Sequence, residues 1–346
     1  MKIKAAVLFE LNKPLEIIEI ESENLKEGQV LVKNLFSGVC RSQLMEVKGG
    51  RGDDKWLPHL LGHEGAGVVI GIGKGVTKVK VGSEVILSWI KGEGLDAEPA
   101  KYYYGTQKLN SGKVTTFSNY TIVSENRVYL KPRTLSFDAA VLYGCAIPTG
   151  AGMVLNELKP EENKSVIVVG LGGIGISAIM ALKSSKVNKI IAIDQDRKKL
   201  EFVERLGIKL TFLSDEDNLK ERISSITNGG ADYCIESGGT VKSIELAFSF
   251  IKKNGGKLLF ASHPPSGEKI RIDPFDLISG KHIFGSWGGS SKPDDDVIKI
   301  HNLFEESKIE VEDLISKRYL LEDINNALYD LEMGEVFRPL IEMEHI

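Results

Sequence analysis

Residues 165–175 read Ser-Val-Ile-Val-Val-Gly-Leu-Gly-Gly-Ile-Gly, an apolar run that leads directly into a cluster of glycines. A fully apolar run of this length is typical of a β-strand that is covered on both faces. Gly170, Gly172 and Gly175 fit the G-x-G-x-x-G pattern of a strand-to-helix turn. In that pattern the glycines permit a tight turn, the close approach of a pyrophosphate, and close packing of the helix on the strand. The stretch predicts a dinucleotide-binding turn in a doubly wound α/β domain.

The residues that follow repeat the alternation of strand and helix. We predict helices over 173–184, 197–206 and 241–252, and strands over 189–194, 232–236, 257–261 and 282–287. Regular alternation of this kind indicates a parallel sheet with helices on both faces. We therefore predict a Rossmann domain over residues 149–289.

Asp194 ends the strand that follows the glycine turn, 24 residues after Gly170 (194 − 170). An acidic residue in this place accepts hydrogen bonds from a ribose 2′-OH and repels a 2′-phosphate. This favours NAD over NADP, although the nearby Arg197 leaves NADP open. A glycine turn without a ligand is the alternative, and the strand, helix and acid around the motif disfavour it.

The first 148 residues have a different pattern, with short alternating or apolar runs bounded by turn residues. Such runs lie at 15–20, 29–33, 68–70, 85–87 and 120–123, and they predict a barrel-like antiparallel fold. The tail from residue 290 carries two predicted helices (294–307 and 321–332) and a strand (339–342), and we expect it to complete this first domain. Lys91–Lys113 is long for a loop and is expected to have a fold or a function of its own.

Composition excludes several classes of function. The chain of 346 residues carries a net charge of −4 with no basic arm, which argues against nucleic acid as a partner. No apolar run is long enough for a membrane span, and the N-terminal run is too short for a signal peptide. Three widely separated cysteines cannot form a disulfide framework, so we expect a reducing compartment, the cytoplasm.

Four residues of the first domain carry chemistry that suits a metal. Thiolates and imidazoles, as in Cys40, His63 and Cys145, are preferred ligands of zinc, and Glu64 follows the histidine. Their spacing alone does not show that they converge. A lone cysteine is more often a small core residue than a ligand, so the neighbouring residues have to decide.

Three segments carry a resemblance to a known family. Gly62–Val69 reads Gly-His-Glu-Gly-Ala-Gly-Val-Val, residues 40–42 read Cys-Arg-Ser, and Gly144–Gly150 reads Gly-Cys-Ala-Ile-Pro-Thr-Gly. In this order, and followed by the glycine turn, they resemble the zinc-containing medium-chain alcohol dehydrogenases over nearly the whole chain. The resemblance implies an α/β fold with a GroES-like, β-rich catalytic domain (1–148, completed by 290–346) and a Rossmann NAD-binding domain.

The resemblance also implies a role for each matching residue. One catalytic zinc would be held by Cys40, His63 and Cys145, and Glu64 would be an adjacent acid able to approach the metal transiently. Ser42 would take the proton of the alcohol. The cofactor would be bound by the glycine turn, including Gly173, and by Arg41, Thr149, Ile174, Asp194, Lys199 and Arg338.

Two features depart from the family pattern. Members often carry a structural zinc held by four cysteines in a lobe of the first domain, and no cysteine lies between Lys91 and Phe117. We expect packing to hold this lobe, with the tyrosines at 102–104 as candidates. Gln43-Leu44-Met45 stands where many members have a proton-relaying histidine. Trp89 is either a substrate-pocket aromatic or a core residue.

The leading hypothesis is an oxidoreductase that transfers a hydride between a primary or secondary alcohol and NAD. Oxidation of a polyol, sugar or cyclitol by the same machinery is the first alternative. A non-catalytic nucleotide-binding protein would not need the metal ligands, and the same residues disfavour a zinc-free enone reductase. A small alcohol or carbonyl compound is the expected partner, and pairing of the edge strand at 282–287 predicts a homodimer or homotetramer.

Overall fold

The computed structural model describes residues 1–345 and divides them into two compact units. The first unit comprises Met1–Cys145, Lys292–His301 and the described residues from Glu310 onward. The second unit comprises Ala146–Ser291 and Asn302–Ile309. The predicted domain bounds stay a prediction, because a compact unit is not by itself an independently folding domain.

The strands, in chain order, are β1 (Lys2–Leu8), β2 (Glu16–Ser22), β3 (Gln29–Gly38), β4 (His59–Leu60), β5 (Glu64–Ile72), β6 (Glu84–Ser88), β7 (Tyr102–Tyr104), β8 (Gln107–Leu109), β9 (Tyr120–Ser124), β10 (Val128–Leu130), β11 (Ser165–Val169), β12 (Lys189–Asp194), β13 (Leu210–Leu213), β14 (Tyr233–Glu236), β15 (Lys257–Phe260), β16 (His282–Gly285), β17 (Lys317–Leu320) and β18 (Pro339–Glu342). The α-helices are α1 (Arg41–Val47), α2 (Phe137–Leu142), α3 (Ala146–Gly152), α4 (Gly173–Ser184), α5 (Arg197–Arg205), α6 (Leu219–Ile226), α7 (Val241–Phe250), α8 (Pro274–Ile278), α9 (Pro293–Glu306) and α10 (Ile324–Glu332).

The first unit is built on two sheets. One sheet has the strand order β4-β1-β2-β7-β8, and the other has the order β10-β6-β5-β3-β18-β17, with β9 also paired to β3. β3 is therefore the central strand of the second of these sheets. Val30 and Val32, on one face of β3, are fully buried. The alternation of the sequence in β3 produces this buried face, because successive side chains point to opposite sides of a strand.

Most of the C-terminal tail lies in the first unit, namely Lys292–His301 and the described residues from Glu310 onward, whereas Asn302–Ile309 lies in the second unit. β18 pairs antiparallel with β3, and Ile324, Leu328 and Ile341 pack in one apolar core with Leu8 and Phe117. The predicted helix at 321–332 begins three residues later than expected, at α10. Its first residues, Leu321–Asp323, form a 3₁₀ turn instead.

The 91–113 segment is not one long irregular loop, because it contains two short strands. β7 and β8 form a hairpin, and β7 extends the five-stranded sheet by pairing with β2. Tyr102 is 1% exposed, and its hydroxyl accepts a hydrogen bond of 2.9 Å from the Ile122 N–H. The expectation that these tyrosines help to hold the segment is confirmed for Tyr102, whereas Tyr104 is largely exposed.

A buried carboxylate also fastens the 91–113 segment. Glu125 is 1% exposed and accepts three backbone hydrogen bonds, from the N–H groups of Thr77 (2.6 Å), Lys78 (2.8 Å) and Leu95 (2.7 Å). Burial alone would raise the pKa of Glu125, but these donors stabilise the charged form and the net pKa is lowered. One carboxylate therefore ties the start of the segment to the loop before β6.

The second unit contains a six-stranded sheet in the order β13-β12-β11-β14-β15-β16. Every pair of neighbouring strands in it is parallel. The strand order reverses direction between β11 and β14, and ligands of doubly wound sheets bind at such switch points, beyond the carboxyl ends of the strands. The predicted parallel sheet is confirmed.

Some predicted ends in the second unit are wrong by one or two residues. α7 ends at Phe250 and not at 252, because Ile251 is extended (φ −79°, ψ 145°) and bridges Ala231. α5 ends at Arg205, before Gly207 at φ +91°. β16 ends at Gly285 and not at 287.

None of the helices in the described part of the chain is long and apolar enough to cross a membrane.

Candidate active site

Three ligand-type side chains of the first unit converge. Cys40 stands at the N-cap of α1, His63 immediately precedes β5, and Cys145 follows α2. Their ligand atoms all lie within 4.8 Å of one another, and His63 Nε2 is 3.3 Å from Cys145 Sγ. Two thiols and an imidazole with a fourth position open to ligand are the donor set of a catalytic zinc. The site therefore fits the metal that the sequence predicts.

The two thiols of this cluster influence each other. The hydrogen bond between Cys40 and Cys145 lowers the pKa of the Cys40 thiol, and the positive charge of Arg338 lowers it further. The same hydrogen bond raises the pKa of Cys145, and burial adds to the increase. A thiolate at Cys40 is the form that binds metal, so the cluster is chemically prepared for a cation.

Gln43 holds two of these residues together. Its Oε1 accepts a 2.7 Å hydrogen bond from the Cys40 N–H, and its Nε2 contacts His63 Nδ1. The side chain is 1% exposed, so the amide is fixed in place. The contact places the Gln43 amide directly against the imidazole ring of His63.

Trp89 reaches the third residue of the cluster. Its indole Nε1–H donates a 3.3 Å hydrogen bond to Cys145 Sγ, and its carbonyl oxygen accepts from Arg127. Donors to a ligating sulfur disperse its negative charge and so tune the metal. This contact adds a role for Trp89 to the two that the sequence left open.

Glu64 and Arg338 form a buried ion pair beside the cluster. Arg338 Nη2 donates to Glu64 Oε2 at 2.6 Å, and the side chains of Arg338 and Glu64 are 6% and 0% exposed. Glu64 Oε1 has no hydrogen-bond partner among the described residues. Burial raises the pKa of Glu64 to about 7, against the attraction of Arg338. The Glu64 carboxylate therefore lies beside the three candidate zinc ligands but is not one of them.

Ser42 follows the first ligand on α1. Its Oγ is buried and has no hydrogen-bond partner within the described part of the chain. A buried hydroxyl without a partner is costly unless a ligand satisfies it. Arg41, the preceding residue, is exposed on the same helix.

The glycine turn of the second unit leaves room for a phosphate. A Cβ on Gly172 would meet no atom within 4 Å, whereas a Cβ on Gly175 would lie 2.0 Å from the carbonyl oxygen of Gly170. Gly170 itself has φ +87°, which favours glycine. The three positions therefore provide the turn, the open approach and the close helix packing that the motif predicts, and the cradle fits a dinucleotide.

Asp194 closes the other side of this turn. Its Oδ2 accepts a 2.5 Å hydrogen bond from the Leu171 N–H, and its Oδ1 is 3.7 Å from Lys199 Nζ. Arg197, which left NADP open in the sequence, pairs instead with Glu204 at 3.0 Å. The carboxylate and Lys199 are thus grouped at the end of β12.

The remaining predicted cofactor residues lie on two helices of the second unit. Thr149 is buried in α3, and Gly173 and Ile174 occupy the first turn of α4. The two helices pack closely, because a Cβ on Gly150 would lie 2.1 Å from the Ile174 carbonyl oxygen. The structure therefore groups the predicted residues in two sets, one in each unit.

Comparisons with known proteins identify the family of the chain. Residues 26–133 match the alcohol dehydrogenase GroES-like domain, and residues 173–306 match the zinc-binding dehydrogenase family. The alcohol dehydrogenase class-3 of Cereibacter sphaeroides is 31% identical over 99% of this chain and 100% of its own length. The chain belongs to the zinc-dependent medium-chain alcohol dehydrogenase family.

Other relatives and solved structures extend this result. The S-(hydroxymethyl)glutathione dehydrogenase of Paracoccus denitrificans is 30% identical over 99% of this chain and 100% of its own length. An alcohol dehydrogenase zinc-binding domain protein from Burkholderia ambifaria superposes with a TM-score of 0.91 at 26% identity, covering 100% of both chains. The benzyl alcohol dehydrogenase of Acinetobacter calcoaceticus gives 0.88 at 26% identity, over 99% of this chain and 100% of that one.

Several sequence predictions about this alcohol dehydrogenase are thereby confirmed. The fold combines a GroES-like unit with a doubly wound α/β unit, and the protein is an oxidoreductase acting on an alcohol with NAD and zinc. The roles of the individual residues stay predictions at this point, including the cofactor contact of Arg338, which the structure pairs with Glu64.

Sequence reasoning missed the contacts of Gln43 and Trp89 in this dehydrogenase. Gln43 stands three residues after Cys40 at a helix start, the spacing at which a glutamine side chain reaches back to the N-cap backbone. That spacing is a local signal and could have identified the residue. The hydrogen bond from Trp89 to Cys145 joins residues 56 apart in the chain, and no local pattern indicates it.

Proposed function

We propose that Cys40, His63 and Cys145 bind the catalytic zinc of this alcohol dehydrogenase and that Ser42 takes the proton from the alcohol. The convergence of the three ligand atoms within 4.8 Å carries the proposal. Bound zinc supplies Lewis acidity to the alcohol, and bound NAD supplies the hydride acceptor. The unpartnered Ser42 hydroxyl supports its role, because it is free to accept and pass on a proton at Oγ.

The surrounding residues adjust the charge of the centre. Two thiolates balance a divalent ion, and the Glu64–Arg338 pair adds no net charge next to it when Glu64 is ionised. Trp89 and Gln43 hold Cys145 and His63 in orientation through their hydrogen bonds. The site remains close to neutral, which suits the binding of an uncharged alcohol and the release of an uncharged carbonyl product.

We propose NAD as the preferred cofactor on the basis of Asp194. Its carboxylate is held by Leu171 and lies near Lys199, so it is oriented to accept hydrogen bonds from a ribose 2′-OH. Arg197 is engaged by Glu204 and does not offset this preference. The other cofactor contacts proposed are those of Arg41, Thr149, Gly173, Ile174 and Arg338.

The substrate class proposed is a primary or secondary alcohol. Relatives act on S-(hydroxymethyl)glutathione and benzyl alcohol, as their names state. The stretch from Gln43 to Met45 lacks the relay histidine, a feature shared with many polyol dehydrogenases, so polyols and cyclitols belong in the test. A panel of simple, aromatic and hydroxymethyl-thiol alcohols, polyols and inositols, followed by NADH formation, distinguishes the two classes.

Metal content tests the zinc ligands. We expect one tightly held zinc per chain in the wild type, and loss of both zinc and turnover in Cys40→Ala, His63→Ala and Cys145→Ala, with NADH binding retained. Cys234→Ala is the matched control, because it removes the buried thiol of β14 in the other unit. A Cys145→Ala protein that keeps its zinc after dialysis contradicts the assignment.

We propose a cytoplasmic homodimer or homotetramer that assembles through the edge of the six-stranded sheet. β16 lies at that edge, and Phe284 and Trp287 are 48% and 82% exposed. α8, which precedes it, exposes Phe275, Leu277 and Ile278. Apolar sheet edges favour pairing with another strand, and a two-fold axis closes the assembly. The three free cysteines support a reducing compartment.

A further inference from the structure

A second cluster of ligand-type side chains lies in the first unit, apart from Cys40, His63 and Cys145. It consists of Glu46 on α1, Asp54 in the following loop and His59 on β4, with one ligand atom from each within 4.8 Å of the others. Their side chains are 24%, 13% and 8% exposed. None of the roles proposed for the alcohol dehydrogenase reaction uses these residues.

The imidazole of His59 stands between two hydrogen-bond acceptors. Its Nδ1 is 3.0 Å from the Leu60 carbonyl oxygen, and its Nε2 is 2.8 Å from Asp54 Oδ2. A neutral imidazole carries a single N–H, so it donates to only one of these acceptors. The other nitrogen then directs its lone pair at an acceptor unless a cation lies there. The geometry requires either a proton or a metal ion at Nε2.

The Nδ1 contact favours a metal at Nε2. Histidines that bind a metal through one nitrogen usually donate the other N–H to a carbonyl or carboxylate, which fixes the tautomer and the ring. Asp54 is also oriented, because its Oδ1 accepts a 2.9 Å hydrogen bond from the Trp56 N–H and leaves Oδ2 for His59. The third donor, Glu46, has Arg51 3.4 Å from its Oε2. One of its carboxylate oxygens lies within 4.8 Å of the ligand atoms of Asp54 and His59.

We propose that Glu46, Asp54 and His59 bind a second, exchangeable divalent metal ion of the zinc class, in addition to the catalytic zinc. One imidazole and two carboxylates suit Zn²⁺ or Co²⁺, whereas Ca²⁺ and Mg²⁺ prefer oxygen ligands alone. Two donors about 2.1 Å from a tetrahedral ion stand about 3.4 Å apart. Binding therefore requires Asp54 to move from His59 by roughly 0.6 Å, a shift within reach of a loop carboxylate.

The position of this site links it to the catalytic centre. Glu46 lies one helical turn after Gln43, which contacts the catalytic His63 and the Cys40 backbone. His59 lies four residues before His63 on the same chain segment. An ion held between α1 and β4 would clamp the two segments that carry Cys40 and His63.

Metal titration of the whole enzyme tests the proposal. Enzyme is dialysed against metal-free buffer until one zinc per chain remains, and uptake of added Zn²⁺ is followed by equilibrium dialysis and calorimetry. We expect a second equivalent to bind in the wild type and to raise the thermal midpoint. His59→Asn and Asp54→Asn should weaken this step at least tenfold. Ca²⁺ should give no uptake.

Matched variants keep the result interpretable. His263→Asn removes an exposed histidine of the other unit and should leave the second equivalent unchanged. Glu46→Gln alters a half-buried helix residue, so it provides a folded variant if His59→Asn does not fold, and it too should weaken uptake. Wild-type enzyme that binds no second equivalent, or variants that bind it as tightly as wild type, would overturn the proposal.

Discussion

Gly172→Ala should weaken NAD binding without harming the fold. Gly172 has φ −82° and ψ −170°, a conformation that alanine adopts without strain, and its added Cβ would meet no protein atom within 4 Å. Replacing glycine where the backbone permits alanine stabilises a protein by about 0.4–1 kcal/mol. The empty space is therefore not needed for folding, and the methyl group would enter the space proposed for the pyrophosphate.

The expected loss of affinity follows from that displacement. A methyl group in front of the turn keeps the phosphate from at least one backbone N–H, and a hydrogen bond to a charged group contributes about 1.5–3 kcal/mol. NADH affinity should therefore fall about 10- to 100-fold. Titration of the dialysed enzyme with NADH, followed by its fluorescence, measures the change, and thermal unfolding should show an unchanged or slightly higher midpoint.

Gly175→Ala is the matched control. Its Cβ would lie 2.0 Å from the Gly170 carbonyl oxygen, so the backbone has to move. Overpacking of this kind costs about 1–3 kcal/mol, and the better helix propensity of alanine returns up to about 1 kcal/mol. The net cost is then about 0–3 kcal/mol, so the midpoint of the second unit should fall by up to about 12 °C. If Gly172→Ala binds NADH as wild type does, or loses as much stability as Gly175→Ala, the assignment of the open space to a phosphate is refuted.

Three further predictions follow from other contacts. Asp194→Ser should raise the KM for NAD and reduce the preference over NADP, which parallel kinetics with both cofactors measure; a wild type that prefers NADP contradicts it. Ile283→Lys on β16 should give 38.0 kDa monomers in light scattering if this edge is the interface, and unchanged oligomers would exclude it. Hydrogen bonds from Lys252 and Ser165 outweigh the effect of burial and hold the pKa of Asp232 at about 2. The ionised carboxylate therefore stabilises the folded protein by about 2 kcal/mol. This stabilisation should persist above pH 4 and be lost as the pH falls towards 2. Urea unfolding of Asp232→Asn and wild type should therefore differ at pH 6 and converge near pH 2; a constant difference would show that this carboxylate is not the cause.

Most helices and strands of the second unit can be predicted from the sequence, because the residues that determine each element lie close together in the chain. The apolar runs of β11 and β12 and the glycines between strand and helix act within a few residues of one another. The predicted ends of helices and strands are less accurate where a contact with a distant segment ends the element. The bridge between Ile251 and Ala231 ends α7 early, and nothing in the sequence around 250 indicates that pairing.

The active site shows the same division. The three ligand candidates were found through short motifs, but the partners that hold them were not. The Glu64–Arg338 pair spans 274 residues of chain, and the resemblance suggested a cofactor contact for the arginine instead. The sequence indicates an aromatic residue at Trp89, but it does not indicate that the indole N–H donates to Cys145 Sγ. Contacts between distant segments depend on how the sheets pack, and residue patterns do not encode that packing directly.

The hydrogen bonds of Glu125 determine which chemical conditions unfold the 91–113 segment. A lobe closed by four metal-bound thiolates is opened by peroxide or by a chelator, whereas hydrogen bonds from Thr77, Lys78 and Leu95 to a carboxylate withstand both. Because the pKa of Glu125 is lowered in the folded protein, the fastening weakens instead as acid protonates it. Oxidation of the proposed zinc ligand Cys40 leaves these hydrogen bonds in place, so peroxide should inactivate this dehydrogenase while the 91–113 segment stays folded.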